Sequence, residues 1–267
     1  MKVYLDFMQP IPAELLRAGA VESTTVYMKE LVQAPRNVID HALVKATALK
    51  YEASGVRRVI LDVEHVNDAP NLSAVFQWTN EETRWMGVVL MCELLVEFRQ
   101  WYTGEIAVSG WHPSYWDYVG IMATDPINEA RIEAKWQYFN KWESDLRPIT
   151  ALTDFSAPFI YSETMWTTGW NRSYAARQRM WGECYEIMRA SMKHWHGYDR
   201  KIEWKIAPHL RDGVKHTEAF IDWQFEQIKA FGDDVHIWLG PEAKFGTLSD
   251  KMLGVIIGNI TNSGSKE

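Results

Sequence analysis

Apolar and polar residues alternate along six short segments of the chain, and a longer stretch with helical spacing follows each of them. The alternation predicts strands at 3–7, 57–64, 105–111, 157–163, 202–207 and 235–239. Helical spacing and capping residues predict helices at 24–34, 38–53, 79–102, 125–142, 173–195, 215–231 and 249–257. Strands and helices that alternate in this order require parallel strands joined by crossover helices.

The two faces of the predicted strands differ in polarity. One face carries the side chains of Tyr4, Asp6, Asp62, Glu64, Ser109, Trp111, Tyr161, Glu163, Lys205, His209, His236 and Trp238. The other face is apolar and suits a surrounding layer of helices. A polar inner face is typical of a barrel with reactive groups at the carboxyl ends of its strands. We therefore predict an α/β fold of the (β/α)8, or TIM, barrel type, or a version with fewer or distorted strands.

Two more strands are needed to complete eight, and 24–34 and 244–257 are the segments that could hide them. The alternative is an open doubly wound sheet, for which six strands would be enough. The chain has no Gly-x-Gly-x-x-Gly after its first strand and no phosphate-binding loop. Both absences argue against a nucleotide-binding sheet of that kind.

Length and composition favour one large domain. The chain has 267 residues, of which 47% are hydrophobic, and we predict a single catalytic domain over 1–260 with a frayed tail at 261–267. No apolar run is long enough to span a bilayer. No signal peptide is visible, which predicts a cytoplasmic protein or one released without a conventional signal. A net charge of -7 without a basic tract argues against a nucleic-acid partner.

A pair of carboxylates ends the second predicted strand. In Leu61-Asp62-Val63-Glu64 the two acids are separated by one residue, so both fall on the inner face. Glycoside hydrolysis needs one protonated carboxylic acid and a second group, a carboxylate or the substrate's own acetamide, to stabilise the oxocarbenium-like centre. Repulsion between neighbouring acids raises the pKa of one of them. We predict Glu64 as the general acid and Asp62 as the ionised or proton-sharing partner that orients the reacting group.

Aromatic residues are unusually frequent, with 14 tryptophans and 11 tyrosines. Flat aromatic faces line sugar-binding clefts because the apolar face of a pyranose stacks on them, although a tryptophan-rich core would give the same composition. The predicted substrate-binding residues lie near the carboxyl ends of the strands. They are Asp6, Trp111, Tyr161, Trp166, His209 and Trp238.

Four short patches resemble one group of barrel glycosidases. Leu61-Asp62-Val63-Glu64 resembles the Asp-x-Glu strand end of chitinases, hyaluronidases and Chalaropsis-type lysozymes. Asp6 is similar to the first-strand aspartate of those lysozymes, and 159–162 resembles their later Ile-Tyr-Thr strand. Trp238 is similar to the last-strand tryptophan under the sugar site of chitinases. The resemblance implies a glycosidase barrel that binds carbohydrate.

Other chemistries remain open at this point. Glu163 ends a strand, as the acid of many two-glutamate barrel glycosidases does, and could be the proton donor with Glu64 or Glu242 as nucleophile. A metal-dependent hydrolase and a catalytically silent sugar-binding barrel are the alternatives from other classes. The histidines lack a metal-ligating spacing on strand ends, so we predict no metal and no cofactor. Lys205 could form a Schiff base, but an ion pair with Glu203 is the simpler interpretation. Oligomeric state is left open.

Overall fold

The computed structural model of the chain describes residues 1–27, 30–33, 38–62, 81–109, 130, 133–134, 137, 143–158, 160, 174–197, 199–209, 216–240 and 246–264. In these ranges the strands are β1 (Val3–Phe7), β2 (Val21–Glu22), β3 (Thr24–Tyr27), β4 (Val32–Gln33), β5 (Val38–Ile39), β6 (Arg58–Asp62), β7 (Glu105–Ser109), β8 (Glu203–Ile206) and β9 (Asp234–Leu239). The helices are α1 (Ala13–Arg17), α2 (His41–Ser54), α3 (Glu81–Arg99), α4 (Glu143–Leu152), α5 (Tyr174–His196), α6 (Glu218–Ala230) and α7 (Asp250–Gly264).

The chain forms two compact units. The first comprises Met1–Glu22, Phe159–Ile187 and Ile202–Glu267, and the second comprises Ser23–Pro158 and Met188–Lys201. Each unit contains its own parallel sheet with helices from the intervening sequence.

The sheet of the first unit has the strand order β2-β1-β9-β8, and its strands are parallel. Tyr4 of β1 is the register partner of His236 of β9, which in turn is the partner of Lys205 of β8. The first strand of the chain therefore lies beside the last one. This neighbourhood is typical of a closed barrel, and closure itself stays a prediction.

The sheet of the second unit has the order β3-β6-β7 and is also parallel. The central strand β6 is buried throughout, as expected for a parallel strand that is covered on both faces. Ile60 of β6 and Ala107 of β7 form a buried cluster with Phe155 and Ala157. A short antiparallel pair, β4 and β5, belongs to the same unit.

Most predicted elements that fall on described residues are found within a few residues of their predicted positions, and the segment at 24–34 is the main correction. The predicted helix at 125–142 and the predicted strand at 157–163 lie mostly outside the described residues. We predicted a helix there, with a hidden strand as the option for a full barrel, and the structure has strand β3 followed by β4. The run Thr24-Thr25-Val26-Tyr27 is β-branched and aromatic, which favours a strand. At 244–257 the described residues form no strand.

Two helix ends also differ from expectation. Helix α2 begins at His41, where the Asp40 carboxylate accepts a hydrogen bond from the backbone N–H of Leu43 at 3.0 Å, rather than after Asn37. Gly55 ends it with φ 76°, as predicted. Helix α7 continues to Gly264, so it includes positions that the sequence assigned to a frayed tail. Across the described part of the chain, every helix is too short or too polar to cross a bilayer.

Candidate functional site

Asp62 is the last residue of β6 and is almost completely buried, with 2% of its surface exposed. Its register partners are Tyr27 of β3 and Ser109 of β7. Because residues paired in register point to the same side of a parallel sheet, Asp62 and Ser109 share one face at the carboxyl end. The Ser109 hydroxyl is buried and has no hydrogen-bond partner among the described residues.

That face is layered along the strands of the second unit. At its amino end the buried guanidinium of Arg58 forms an ion pair with Glu105 and lies 4.0 Å from the centre of the Phe155 ring. The apolar pair Ile60 and Ala107 forms the next layer. Asp62 places a carboxylate next to this apolar layer, at the carboxyl end of β6. This is the order expected of a strand that supplies stability at one end and a reactive group at the other.

The first unit has a second polar face, which includes Asp6. Asp6 of β1 is the register partner of Trp238 of β9, so both side chains lie on one face near the carboxyl end of the sheet. Asp6 is buried, whereas Trp238 is partly exposed. A carboxylate next to a partly exposed indole can accept hydrogen bonds from hydroxyl groups of a ligand that stacks on the ring.

Asp6 belongs to a cluster of four charged side chains, here called the buried quartet. Its members are Asp6, Glu203, Lys205 and His236. His236 Nδ1 is 2.6 Å from Oε1 of Glu203. His236 Nε2 is 3.6 Å from Oδ2 of Asp6, and Lys205 Nζ is 3.9 Å from the same oxygen. The first distance is a close hydrogen bond, and the other two are ion pairs beyond ordinary hydrogen-bond length.

The surroundings of His236 change its pKa. Burial disfavours the imidazolium, but interactions with Asp6 and Glu203 outweigh it and raise the pKa of His236 above its ordinary value of 6.5, with the Lys205 charge opposing them. A protonated His236 gives the quartet two positive and two negative charges. This balance allows four ionised groups to be buried together.

His209 follows β8 and contacts Trp238. Its ring packs edge-on against the indole at a centroid distance of 5.4 Å, and its Nε2 accepts a hydrogen bond from the backbone N–H of Gly240 at 3.4 Å. His209 also lines a pocket at this end of the sheet. The other lining residues are Pro208, His216, Glu218, Leu239, Thr247, Leu248, Ser249 and Met252. The predicted substrate-binding residue His209 therefore lies at the carboxyl ends of β8 and β9.

Several predicted site residues lie outside the described part of the chain. They are Glu64, Trp111, Glu163, Tyr161 and Trp166. Their roles stay predictions from the sequence. Of the predicted residues that the structure describes, it brings Asp6, His209 and Trp238 together in the first unit and places Asp62 in the second.

Part of the tryptophan surplus belongs to the core. Trp204 of β8 packs edge-on against Tyr185, which stacks on Trp181 at 5.3 Å. Trp223 of α6 continues this aromatic layer at 5.4 Å from Trp181. The Trp204 indole N–H and the Tyr185 hydroxyl both donate to Oδ2 of the buried Asp233. Composition alone cannot separate these core aromatics from residues such as Trp238.

The quartet was only partly anticipated. The alternation of side chains placed Glu203, Lys205 and His236 on the inner face, but none was predicted as a site residue. The sequence predicted an ion pair of Lys205 with Glu203, and the structure shows an ion pair of Lys205 with Asp6 and a hydrogen bond between Glu203 and His236. Register across three strands decides these partners, and register is absent from a single sequence. Among the described residues, no group of three acidic, histidine or cysteine side chains is arranged to hold a metal ion.

Comparison with known proteins finds similarity in structure only. No protein-family model matches the chain, and no curated protein matches it in sequence. Bee venom hyaluronidase, solved in complex with a hyaluronic acid tetramer, superposes with a TM-score of 0.61 at 10% identity, covering 95% of this chain and 94% of the other. A second crystal form of that enzyme gives 0.61 over 98% and 99% of the chains, again at 10% identity.

The glycoside hydrolase domain of PgaB from Bordetella bronchiseptica is also similar, with a TM-score of 0.48 at 12% identity over 90% of this chain and 75% of the other. The structural neighbours are glycoside hydrolases with folds of the TIM-barrel type. Together with the parallel sheets of both units, the hyaluronidase likeness shows that this chain has an α/β fold similar to that of bee venom hyaluronidase.

Proposed function

We propose that the protein is a glycoside hydrolase that cleaves a poly- or oligosaccharide by general acid and base chemistry. The observation that carries the proposal is the buried carboxylate of Asp62 at the carboxyl end of β6, two residues before Glu64. The carboxyl ends of the strands are where barrel enzymes place their reactive groups. The fold likeness to bee venom hyaluronidase over nearly the whole of both chains supports the same class.

In this proposal Glu64 donates a proton to the oxygen of the leaving sugar. Two acids at positions i and i+2 of a strand point the same way, and their mutual repulsion keeps one of them protonated near neutral pH. Asp62, at the deeper position, stays ionised or shares that proton and orients the group that stabilises the developing positive charge. Glu163 is the alternative proton donor, in which case Glu64 or Glu242 would be the nucleophile.

The first unit supplies the groups that we propose contact a saccharide. Trp238 and Asp6 give one face of its sheet an aromatic ring and a hydrogen-bond acceptor, which suit the apolar and polar sides of a pyranose ring. Trp111, Tyr161 and Trp166 are proposed as further sugar contacts from the sequence.

The comparison indicates which saccharides to test first. Because bee venom hyaluronidase was solved with a hyaluronic acid tetramer, hyaluronic acid oligosaccharides head a panel that also includes other polysaccharides and aryl glycosides. New reducing ends and released aryl groups are measured for the wild type and for Asp62→Asn. Glu105→Gln is the matched control, since it removes a carboxylate from the amino end of the neighbouring strand.

The expected result is turnover of at least one panel member by the wild type and by Glu105→Gln, with a loss of about a hundredfold or more in Asp62→Asn. Thermal melts establish that each variant is folded. The proposal is wrong if the wild type binds saccharides but hydrolyses none of them, which would indicate a sugar-binding protein. It is also wrong if Asp62→Asn cleaves as fast as the wild type.

A further inference from the structure

The buried quartet lies on the same face of the first unit's sheet as Trp238. Glu203 and His236 have 0% exposure, Lys205 has 1% and Asp6 has 6%. The contacts run in one direction along the sheet: Glu203 holds His236, and His236 and Lys205 both approach the same oxygen of Asp6. Asp6 is the member nearest to the carboxyl ends of the strands and lies in register with Trp238.

A cluster of this kind needs a reason beyond stability. Replacing a buried ion pair by apolar residues of similar volume is often neutral or stabilising. The rest of the described core of this unit is largely apolar and aromatic, so apolar residues would fill the same layer. Ion pairs do, however, fix one orientation of a carboxylate, and side chains that hold a functional group in place often contribute strongly to its affinity for a ligand.

We propose that Lys205 and His236, with Glu203 behind His236, are positioning residues that hold the Asp6 carboxylate ionised and oriented beside Trp238, where it accepts hydrogen bonds from the hydroxyl groups of a saccharide unit stacked on the indole. The naming of a saccharide rests on the proposed function. The arrangement within the quartet rests on the distances alone.

The charge of His236 sets how strongly Asp6 is held. Among the described residues, the titratable groups that face His236 are Tyr4 and Asp6 from β1, and Glu203 and Lys205 from β8. When His236 is protonated, the positive and negative charges of the quartet balance. When His236 loses its proton, one of the two positive charges of the quartet that approach Asp6 is removed, and the Asp6 carboxylate is held less firmly. Saccharide binding at this face therefore weakens as the pH rises through the titration of His236.

The first experiment needs no substrate. The ring signals of His236 are followed by NMR across the pH range in the wild type, Asp6→Asn and Glu203→Gln, each of nearly unchanged shape. Both substitutions remove a negative charge next to the imidazole, so both should lower the pH at which His236 titrates. Asp233→Asn is the control, because it changes a buried carboxylate that bonds Trp204 and Tyr185 instead; it should leave the titration in place. An unchanged titration in Asp6→Asn would overturn the arrangement.

The second experiment measures saccharide binding through tryptophan fluorescence, with hyaluronic acid oligosaccharides and the other panel members as probes. Glu203→Gln should weaken binding on the order of tenfold to a hundredfold, as expected when a contact group is misplaced by a fraction of an ångström to one ångström. Its binding should also lose its pH dependence above neutrality. Asp233→Asn should bind as the wild type does, even where its melting temperature falls.

The two proposals fail in different ways. If the wild type binds no saccharide while Asp6→Asn shifts the His236 titration, the proposed function and the saccharide role fall together and the arrangement of the quartet stands. If the wild type binds and cleaves a saccharide but Glu203→Gln binds it with unchanged affinity and pH dependence, the positioning role is wrong and the proposed function stands.

Discussion

His236 Nδ1 lies 2.6 Å from the carboxylate of Glu203, and neither side chain is exposed to solvent. A buried imidazole bonded to a buried carboxylate is an unusual pair to place between strands β8 and β9. Its consequences for stability can be measured separately from any activity.

Stability should depend on pH through His236. Because folding raises the pKa of His236 above 6.5, protonation of His236 stabilises the folded state fully below about pH 6.5, and this contribution is lost as the pH rises through the raised pKa. The free energy of unfolding, from urea titrations, should therefore fall between near-neutral and alkaline pH. In His236→Asn this part of the pH dependence should be missing. Parallel curves for the two proteins would show that His236 does not titrate in this range.

Removing the carboxylate of Glu203 should destabilise the protein. Glu203→Gln leaves an imidazolium with one fewer counter-charge in a solvent-free site, for which a loss on the order of 3 kcal/mol is expected. Chemical denaturation measures the loss. The loss should be largest where His236 is protonated in the wild type and smaller at alkaline pH. An equal loss at both extremes would mean that Glu203 acts by packing alone.

Gly104 should tolerate a side chain poorly. A Cβ there would lie 2.7 Å from the carbonyl oxygen of Arg57, which accepts the backbone N–H of Glu105. Gly104→Ala should thus cost about 1–3 kcal/mol of stability. Gly254→Ala is the matched control, because it lies in helix α7 with no atom within 4 Å of its Cβ position; it should stabilise by about 0.5–1 kcal/mol. Equal melting temperatures of the two variants would contradict this.

Trp238 should report saccharide binding directly. If a sugar stacks on its indole, oligosaccharide titration quenches fluorescence in the wild type, and Trp238→Ala loses most of the change and binds roughly tenfold more weakly. Trp85→Ala removes a tryptophan of α3 that is 50% exposed, and it should keep the quenching. Full quenching in Trp238→Ala would show that the saccharide does not stack on Trp238.

The sequence predicted the fold class through alternation and order. Leu5 and Ile237 face one side of their strands while Asp6 and His236 face the other, and a single strand already contains that information. The prediction of a helix at 24–34 was wrong. Its helix-like spacing outweighed the β-branched run Thr24–Tyr27, which forms a strand paired with β6. The propensities of residues 24–34 contain no information about the partner strand, on which the formation of a strand depends.

The candidate site was predictable in its residue types but not in its partners. Asp62 and Asp6 were identified as strand-end acids, and the structure confirms that both are buried at the carboxyl ends of parallel strands. The ion pair of Lys205 on β8 with Asp6 on β1 spans the intervening strand β9, so it depends on the register of three strands. The overrepresented tryptophans were ambiguous for a similar reason, because Trp204 and Trp238 both lie in short strands and only packing against Tyr185 assigns the first to the core.

We propose Glu64, two residues after Asp62 in the sequence, as the proton donor for glycoside cleavage, and a comparison of Glu64→Gln with Glu163→Gln tests this choice. Both variants keep the shape of the side chain and delete its proton, and turnover of the best panel substrate is measured across pH with melting temperatures alongside. We expect Glu64→Gln to lose on the order of a hundredfold to ten-thousandfold in rate, with Glu163→Gln retaining more activity. Full activity in Glu64→Gln together with an inactive Glu163→Gln would contradict the account and make Glu163 the proton donor.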